Sequence, residues 1–136
     1  MNTEHLLELE VRDYELDLQG IVNNAVYQNY LEHGRHKYIT AIGLDFNQLH
    51  QEGWDPVVVR AEIDYKQSLR STNRFQVKTR AVAHGTLRFV FEQEIVRLPD
   101  GALIVQAKIT AATLLNGRPT PCKAILEAIC SNCKSQ

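Results

Sequence analysis

The sequence predicts an α+β domain in which one long helix lies across an antiparallel sheet. Two observations carry that prediction. Apolar residues hold helical spacing over one long stretch, residues 24–42. Beyond Pro56 they alternate instead, and glycine-containing turns punctuate the alternation.

The elements follow in order. Leu7-Glu8-Leu9-Glu10-Val11-Arg12 alternates and reads as a first strand. Residues 13–20 form an acidic loop that ends at Gly20. Tyr27, Tyr30, Leu31, Gly34, Tyr38, Ala41 and Ile42 then share one helical face. Asn23 or Asn24 suits the N-cap and Gly43 the C-terminal stop, giving about five turns, or ~28 Å. Gly34, on the apolar face, has no cap or turn role, so it is expected to let another backbone approach closely. Residues 45–53 suggest a short helix or turn capped by Asp45. Four strands are expected at residues 57–65, 75–83, 87–98 and 102–115. His84-Gly85-Thr86 and Pro99-Asp100-Gly101 make hairpin turns, and Asn116-Gly117-Arg118-Pro119 ends the last strand. The order β-α-β-β-β-β describes a five-stranded antiparallel sheet wrapped on one long helix, the hotdog arrangement. The domain is expected to span residues 1–118. A polar tail follows, residues 119–136, with one turn of helix around residues 123–129. A single helix covers one sheet face and leaves an edge strand open, which predicts a homodimer as the minimum unit.

Composition limits the function. Lys plus Arg number 15 against 16 Asp plus Glu, for a net charge of -1. That balance argues against a nucleic-acid binder working through a basic field. No apolar run reaches the ~18–20 residues of a membrane span. Residues 1–10 lack the cationic start and apolar stretch of a secretory signal. The expected compartment is the cytoplasm, or the plastid stroma if a transit peptide has been removed. Cys122, Cys130 and Cys133 are odd in number and clustered, which reads as free thiols in a reducing compartment. Three thiols fall short of a structural zinc site. His33 and His36, with Glu32, fall short of the three ligands of a catalytic zinc and read as a solvated helix face. Neither a metal nor a cofactor is expected.

The stretch from Val11 to Tyr27 carries the chemistry. A carboxylate, Asp17, sits in a loop; Gly20 follows; a helix starts a few residues later. Thioester cleavage needs a base or nucleophile near the carbonyl carbon and donors for the oxygen as charge develops there. Unpaired N–H groups at a helix start, with the positive dipole end, supply such donors. An acidic loop that merely caps the helix satisfies the same pattern, and physical reasoning leaves the two readings even.

The residues Asp17-Leu18-Gln19-Gly20-Ile21-Val22-Asn23-Asn24-Ala25-Val26-Tyr27, with Tyr30 and Glu32-His33-Gly34-Arg35 behind them, resemble the signature of the 4-hydroxybenzoyl-CoA thioesterase family. Residues 57–65 resemble that family's second strand. Residues 68–75 resemble the turn after it, with Ser68 and Asn73 in place of the usual proline and aspartate. The resemblance covers about residues 6–116. Within the family, residues 11–17 and 22–27, with His33-Gly34-Arg35-His36, are similar to the plant acyl-lipid thioesterases of the methylketone-synthase type.

The resemblance implies an acyl thioesterase acting on a fatty-acyl or 3-oxoacyl thioester of acyl carrier protein or CoA, with Asp17 as general base or nucleophile and a homotetramer as the final assembly. It places Asn24 where the thioester carbonyl is held, and Arg35 where some relatives that lack the acid use an arginine. With the acid present, Arg35 is expected to pair with Glu32 one turn back. Arg60 either caps the cleft or pairs across strands with a carboxylate, the latter favoured. Gly20, Val22 and Tyr27 are candidates for the acyl pocket, the tyrosine being also a core residue. Lys66, Arg70, Arg74 and Arg88 are candidates for contact with CoA phosphates or an acidic carrier protein, with solvated turn charges as the equal alternative. The rival functions are an aromatic or short-chain acyl-CoA hydrolase, a dehydratase on the same fold, and a non-catalytic acyl-binding protein. No histidine stands between Asp17 and the helix start, which ranks the dehydratase low. An apolar pocket alone needs no carboxylate, which weighs against the binding protein.

Overall fold

The computed structural model describes residues 4–134. Strand β1 (His5–Glu10) is followed by a single 3-10 turn (Asp13–Glu15), the long helix α1 (Asn24–Ala41) and the short helix α2 (Phe46–Gln51). Four strands come next: β2 (Trp54–Tyr65), β3 (Arg74–His84), β4 (Arg88–Leu98) and β5 (Leu103–Leu115). A two-residue strand β6 (Arg118–Pro119) and helix α3 (Lys123–Lys134) close the chain. The five main strands form one antiparallel sheet in the order β1-β3-β4-β5-β2, with β6 paired to β5. This is the expected hotdog arrangement.

Each of the first two helices starts where the sequence provides a cap. The Asn23 side chain accepts from the Ala25 N–H at 2.9 Å. The Asp45 side chain accepts from the Gln48 N–H at 3.2 Å. Both satisfy amides that the helix leaves orphaned. The face of α1 turned to the sheet consists of Tyr27, Tyr30, Leu31, Gly34, Tyr38 and Ile39. Ala41, expected on this face, is exposed, and Tyr38 and Ile39 carry the packing of the last turn. Across from it, alternate strand residues Phe75, Val77, Ala81, Phe89, Phe91, Ile95, Ala107 and Ile109 complete the core.

Gly34 does allow a close approach, but of side chains rather than of backbone. A Cβ there would lie 2.6 Å from Val77 Cγ1 and 3.0 Å from Thr79 Oγ1. The C-terminal segment also departs from a polar tail with one helical turn. It forms the longer α3, and Cys122, Ile125 and Ile129 are buried in the core. Its apolar residues recur at helical spacing, a short pattern that its lysines and serine obscure in the sequence. Cys130 is exposed; Cys133 lies among residues whose side chains are outside the described ones.

The two edges of the sheet differ. The outer neighbour-free edge at one side is the six-residue β1; at the other it is the twelve-residue β2. Val57, Val58, Val59 and Tyr65 of β2 are all exposed.

Candidate active site

Asp17 stands at the base of a small hairpin. Leu16 and Val22 form a bridge, the Asp17 N–H donates to the Ile21 carbonyl at 2.8 Å, and the Gly20 N–H donates to the Asp17 carbonyl at 3.1 Å. Gly20 sits at φ +78°, in the left-handed region that the tight reversal requires and that favours glycine. The carboxylate is fixed by its own loop. Oδ1 accepts from the Gln19 N–H at 2.8 Å and the Ile21 N–H at 3.4 Å. Among the described residues nothing bonds Oδ2, which leaves one half-buried carboxylate oxygen for chemistry.

This hairpin is tied to its surroundings on two sides. Behind it, the Asn23 N–H donates to the Glu15 carbonyl at 3.2 Å. Glu15 Oε1 accepts from the Arg12 N–H at 2.8 Å and from the Tyr30 hydroxyl at 2.7 Å. Burial first, then this bond to a carboxylate, pushes the Tyr30 hydroxyl well above the ordinary phenol range. In front of it, residues 66–73 run past. Ile21 bridges Arg70, the Val22 N–H donates to the Leu69 carbonyl at 2.9 Å, and the Leu69 N–H donates to the Tyr27 hydroxyl at 2.8 Å. Tyr27 therefore still has its own proton to give. Burial raises its pKa, and the nearby negative charge of Asp17 adds to the rise.

The hairpin that carries this carboxylate leads directly into the start of α1. With the Ala25 N–H bonded to the Asn23 side chain and the Val26 N–H to the Asn23 carbonyl, the Asn24 N–H has no acceptor among the described residues. An oxygen that gains negative charge there meets a free N–H and the positive end of an 18-residue helix. The group that suits carbonyl orientation is thus the Asn24 backbone, its side chain being exposed.

The other residues singled out in the sequence divide. Val22 and Tyr27 are core residues at 2% exposure, and Gly20 is at the exposed hairpin tip. They build the wall and the turn behind Asp17. Arg35 does not lie along Glu32. It turns inward, its Nη1 donates to Gln93 Oε1 at 3.1 Å, and its guanidinium lies 5.9 Å from the centroid of Phe91. Burial lowers its pKa, and Glu32 acts on it through space. Arg60 reaches Glu62, two residues along its own strand, at 3.4 Å; its neighbour across the ladder is Thr110, so the cross-strand carboxylate is not there. Arg74 is engaged by Glu8, with Glu10 at 3.9 Å, and is not free to meet a phosphate. Arg88 begins β4 at the end remote from Arg74, which pairs with Leu98. Lys66 and Arg70 remain, both exposed, one on each side of the segment against the Asp17 hairpin.

Two residues that sequence reasoning missed shape the site. Gln93 is 2% exposed and donates to the Leu31 carbonyl and Thr79 Oγ1, both at 2.9 Å. Its signal was present: it interrupts the apolar alternation of Phe89, Phe91 and Ile95. Glu15 had no such signal, because its role depends on where Tyr30 arrives in space.

Between α1 and the edge strand β2 runs a groove of two adjoining cavities. One, of about 210 Å3, is lined by Gln28, Leu31, Arg35, Val58, Ala61 and Ile63. The next, of about 300 Å3, shares Arg35 and Val58 and continues to Phe46, Pro56 and Phe91. Tyr27, next in the chain to Gln28 of the first cavity, sets its ring 5.8 Å from that of Tyr65.

The chain is similar to known proteins along most of its length. The model of the Thioesterase-like superfamily matches residues 11–129. The acyl-acyl carrier protein thioesterase ATL2, chloroplastic, of Arabidopsis thaliana is 46% identical over 117 residues, 85% of this chain and 62% of that protein. Its counterpart ATL3 is 39% identical over 85% of this chain and 61% of that protein. The chain thus spans about three fifths of the length of these relatives. Among solved structures, a 1,4-dihydroxy-2-naphthoyl-CoA thioesterase from Synechocystis superposes with a TM-score of 0.87 at 17% identity, covering 94% of this chain and 96% of that one. A thioesterase from Thermus thermophilus, solved with coenzyme A and Zn, superposes with a TM-score of 0.81 at 29% identity, covering 93% of this chain and 92% of that one.

Proposed function

The chain belongs to the Thioesterase-like superfamily, and from that premise we propose that it hydrolyses acyl thioesters, with Asp17 as the catalytic carboxylate. The observation that carries the reading is an Asp17 Oδ2 left unbonded in the hairpin that leads into α1, whose Asn24 N–H has no acceptor among the described residues. The thioester oxygen lies toward that N–H and the dipole end. Asp17 either draws a proton from water, whose oxygen attacks the carbonyl carbon, or attacks that carbon itself and is released by water. In both routes a C–O bond forms, the C–S bond breaks, and the thiolate leaves and takes up a proton. The carboxylate that assists the attack is already held by two backbone N–H groups, so little reorganisation is needed.

The substrates we propose are medium- to long-chain acyl or 3-oxoacyl thioesters, the carrier-bound form being preferred over CoA. The support is the naming of the two Arabidopsis relatives as acyl-acyl carrier protein thioesterases and the cationic pair Lys66 and Arg70 beside the hairpin. Those relatives are named chloroplastic, which favours the plastid stroma. Among the described residues, no helix is long and apolar enough to cross a membrane.

The working unit is a homodimer formed along the open edge of β2, which also walls the groove between α1 and β2. A long, apolar, unpaired edge strand is a template for another strand. An antiparallel two-fold pairing centred on Ala61 sets Arg60 opposite Glu62 of the partner subunit, and the reverse. A homotetramer is a pair of such dimers.

The test is a turnover panel of acyl-carrier, acyl-CoA and short pantetheine thioesters at two salt concentrations. Carrier substrates should be cleaved best, their kcat/KM should fall as salt rises, and Arg70→Glu should hurt them more than the pantetheine thioester. Equal salt response would remove the carrier preference. No turnover of any member by the folded dimer would remove the thioesterase reading.

A further inference from the structure

The groove between α1 and β2 is lined mostly by apolar side chains, with Arg35 at the junction of its two cavities and Glu32 and His36 joining it in the wall of the second. Arg35 lines both cavities. Its guanidinium makes one hydrogen bond, to Gln93 Oε1, and rests near the Phe91 ring. A guanidinium carries five N–H donors, and among the described residues Gln93 accepts from one of them.

Taking the thioesterase reading above as given, we propose that Arg35 sets the acyl-chain length, as a polar stop at the far end of the stretch that accepts hydrocarbon. The occupant is the acyl chain, entering beside Tyr27 and Tyr65 and running along Leu31, Ala61 and Ile63. An apolar methyl end that stops short of Arg35 gains burial with each carbon. A chain that runs on strips water from the guanidinium and offers no acceptor in return, so the gain reverses.

The fold sets the scale. Arg35 is eleven residues past Asn24, or ~16 Å along the helix axis at 1.5 Å per residue. Its side chain leans back toward the N-terminus and shortens this to roughly 10–16 Å. An extended chain of tetrahedral carbons advances about 1.2 Å per bond, by analogy with a stretched backbone of three bonds per ~3.5 Å. The stop therefore falls at about 8–13 carbons. Val58, shared by both cavities, forms the opposite wall at the same depth.

The experiment measures kcat/KM for saturated pantetheine thioesters of increasing length, below their aggregation limit, so that carrier recognition does not enter. For the native protein the value should rise to roughly 8–13 carbons, the depth set by the helix rise, and then drop about tenfold or more within four further carbons. In Arg35→Met the ratio of long to medium chains should rise about tenfold, while Arg35→Lys, which keeps the charge, should retain the drop. The same cut-off should appear in the affinity of non-hydrolysable pantetheine thioethers for the native protein. That measurement stands even if turnover fails, so the length rule and the thioesterase reading can fail separately. A native profile without a drop, or Arg35→Met lowering all lengths by one factor, would overturn the proposal.

Discussion

The first turn of α1 and its middle are parts of one helix, built on opposite plans. The start is open. Asn23, Asn24 and Ala25 are exposed, and hydrogen bonds to the Asp17 hairpin and its neighbours hold the backbone in place. The middle is closed. Gly34 lies against Val77 and Thr79 with no room for a methyl group, and Gln93 bridges Leu31, Thr79 and Arg35. Directional bonds fix a surface loop without covering it, which leaves a carboxylate oxygen and an amide N–H for a substrate. Close packing fixes the helix to the sheet, and Arg35 donates one bond there, to Gln93. Substitutions in the middle should therefore cost stability, and substitutions at the start should cost activity.

The largest stability effect is expected from Gly34→Val. The Cβ alone meets Val77 Cγ1 at 2.6 Å, and overpacking of this kind costs about 1–3 kcal/mol or more. Chemical denaturation should show the midpoint lowered, and an unchanged midpoint would break the contrast. Gln93→Leu should follow closely. It keeps most of the volume but removes the acceptor of a partly buried guanidinium and two donated bonds, at about 2 kcal/mol.

Tyr30→Phe sharpens the boundary between the two regions, because Tyr30 lies on the buried face yet bonds to Glu15 in the loop. It should cost about 1 kcal/mol of stability and lower kcat more than it raises KM, since the Asp17 hairpin loses one tie. The smallest effect is spectroscopic. Tyr27 and Tyr30 have raised pKa values, so alkaline titration should show these two ionising above the ordinary value of about 10. Their neutral forms stabilise the fold fully below that value, and the contribution is lost as pH rises through the folded values. Ionisation of both at the ordinary value in the folded protein would contradict their burial.

Local patterns carried much of this architecture into view beforehand. The Tyr27, Tyr30, Leu31, Tyr38 face and the caps Asn23 and Asp45 are read within a turn of helix, and the Asp100-Gly101 turn within a hairpin. Asp17 was legible because a carboxylate ahead of a helix start is itself a local pattern. The partners of the arginines were not. Arg35 could reach Glu32 along the helix or Gln93 across space; the burial of Gln93 decided for the latter. Arg74 was spent on Glu8 because β1 pairs with β3, a contact between residues 66 positions apart. The position of Arg88 at the remote end of β4 follows from strand direction, which spacing alone does not convert into distance from the site.

The central claim rests on one oxygen of Asp17, and Asp17→Asn tests it with little else changed. The amide can keep an acceptor oxygen at the Oδ1 position, where the Gln19 and Ile21 N–H groups bond, so the hairpin should hold its shape and the melting temperature should stay near that of the native protein. Turnover of a medium-chain acyl thioester should fall by about a hundredfold or more, the scale of losing a general base. A folded Asp17→Asn protein that hydrolyses the same thioester at the native rate would contradict the account.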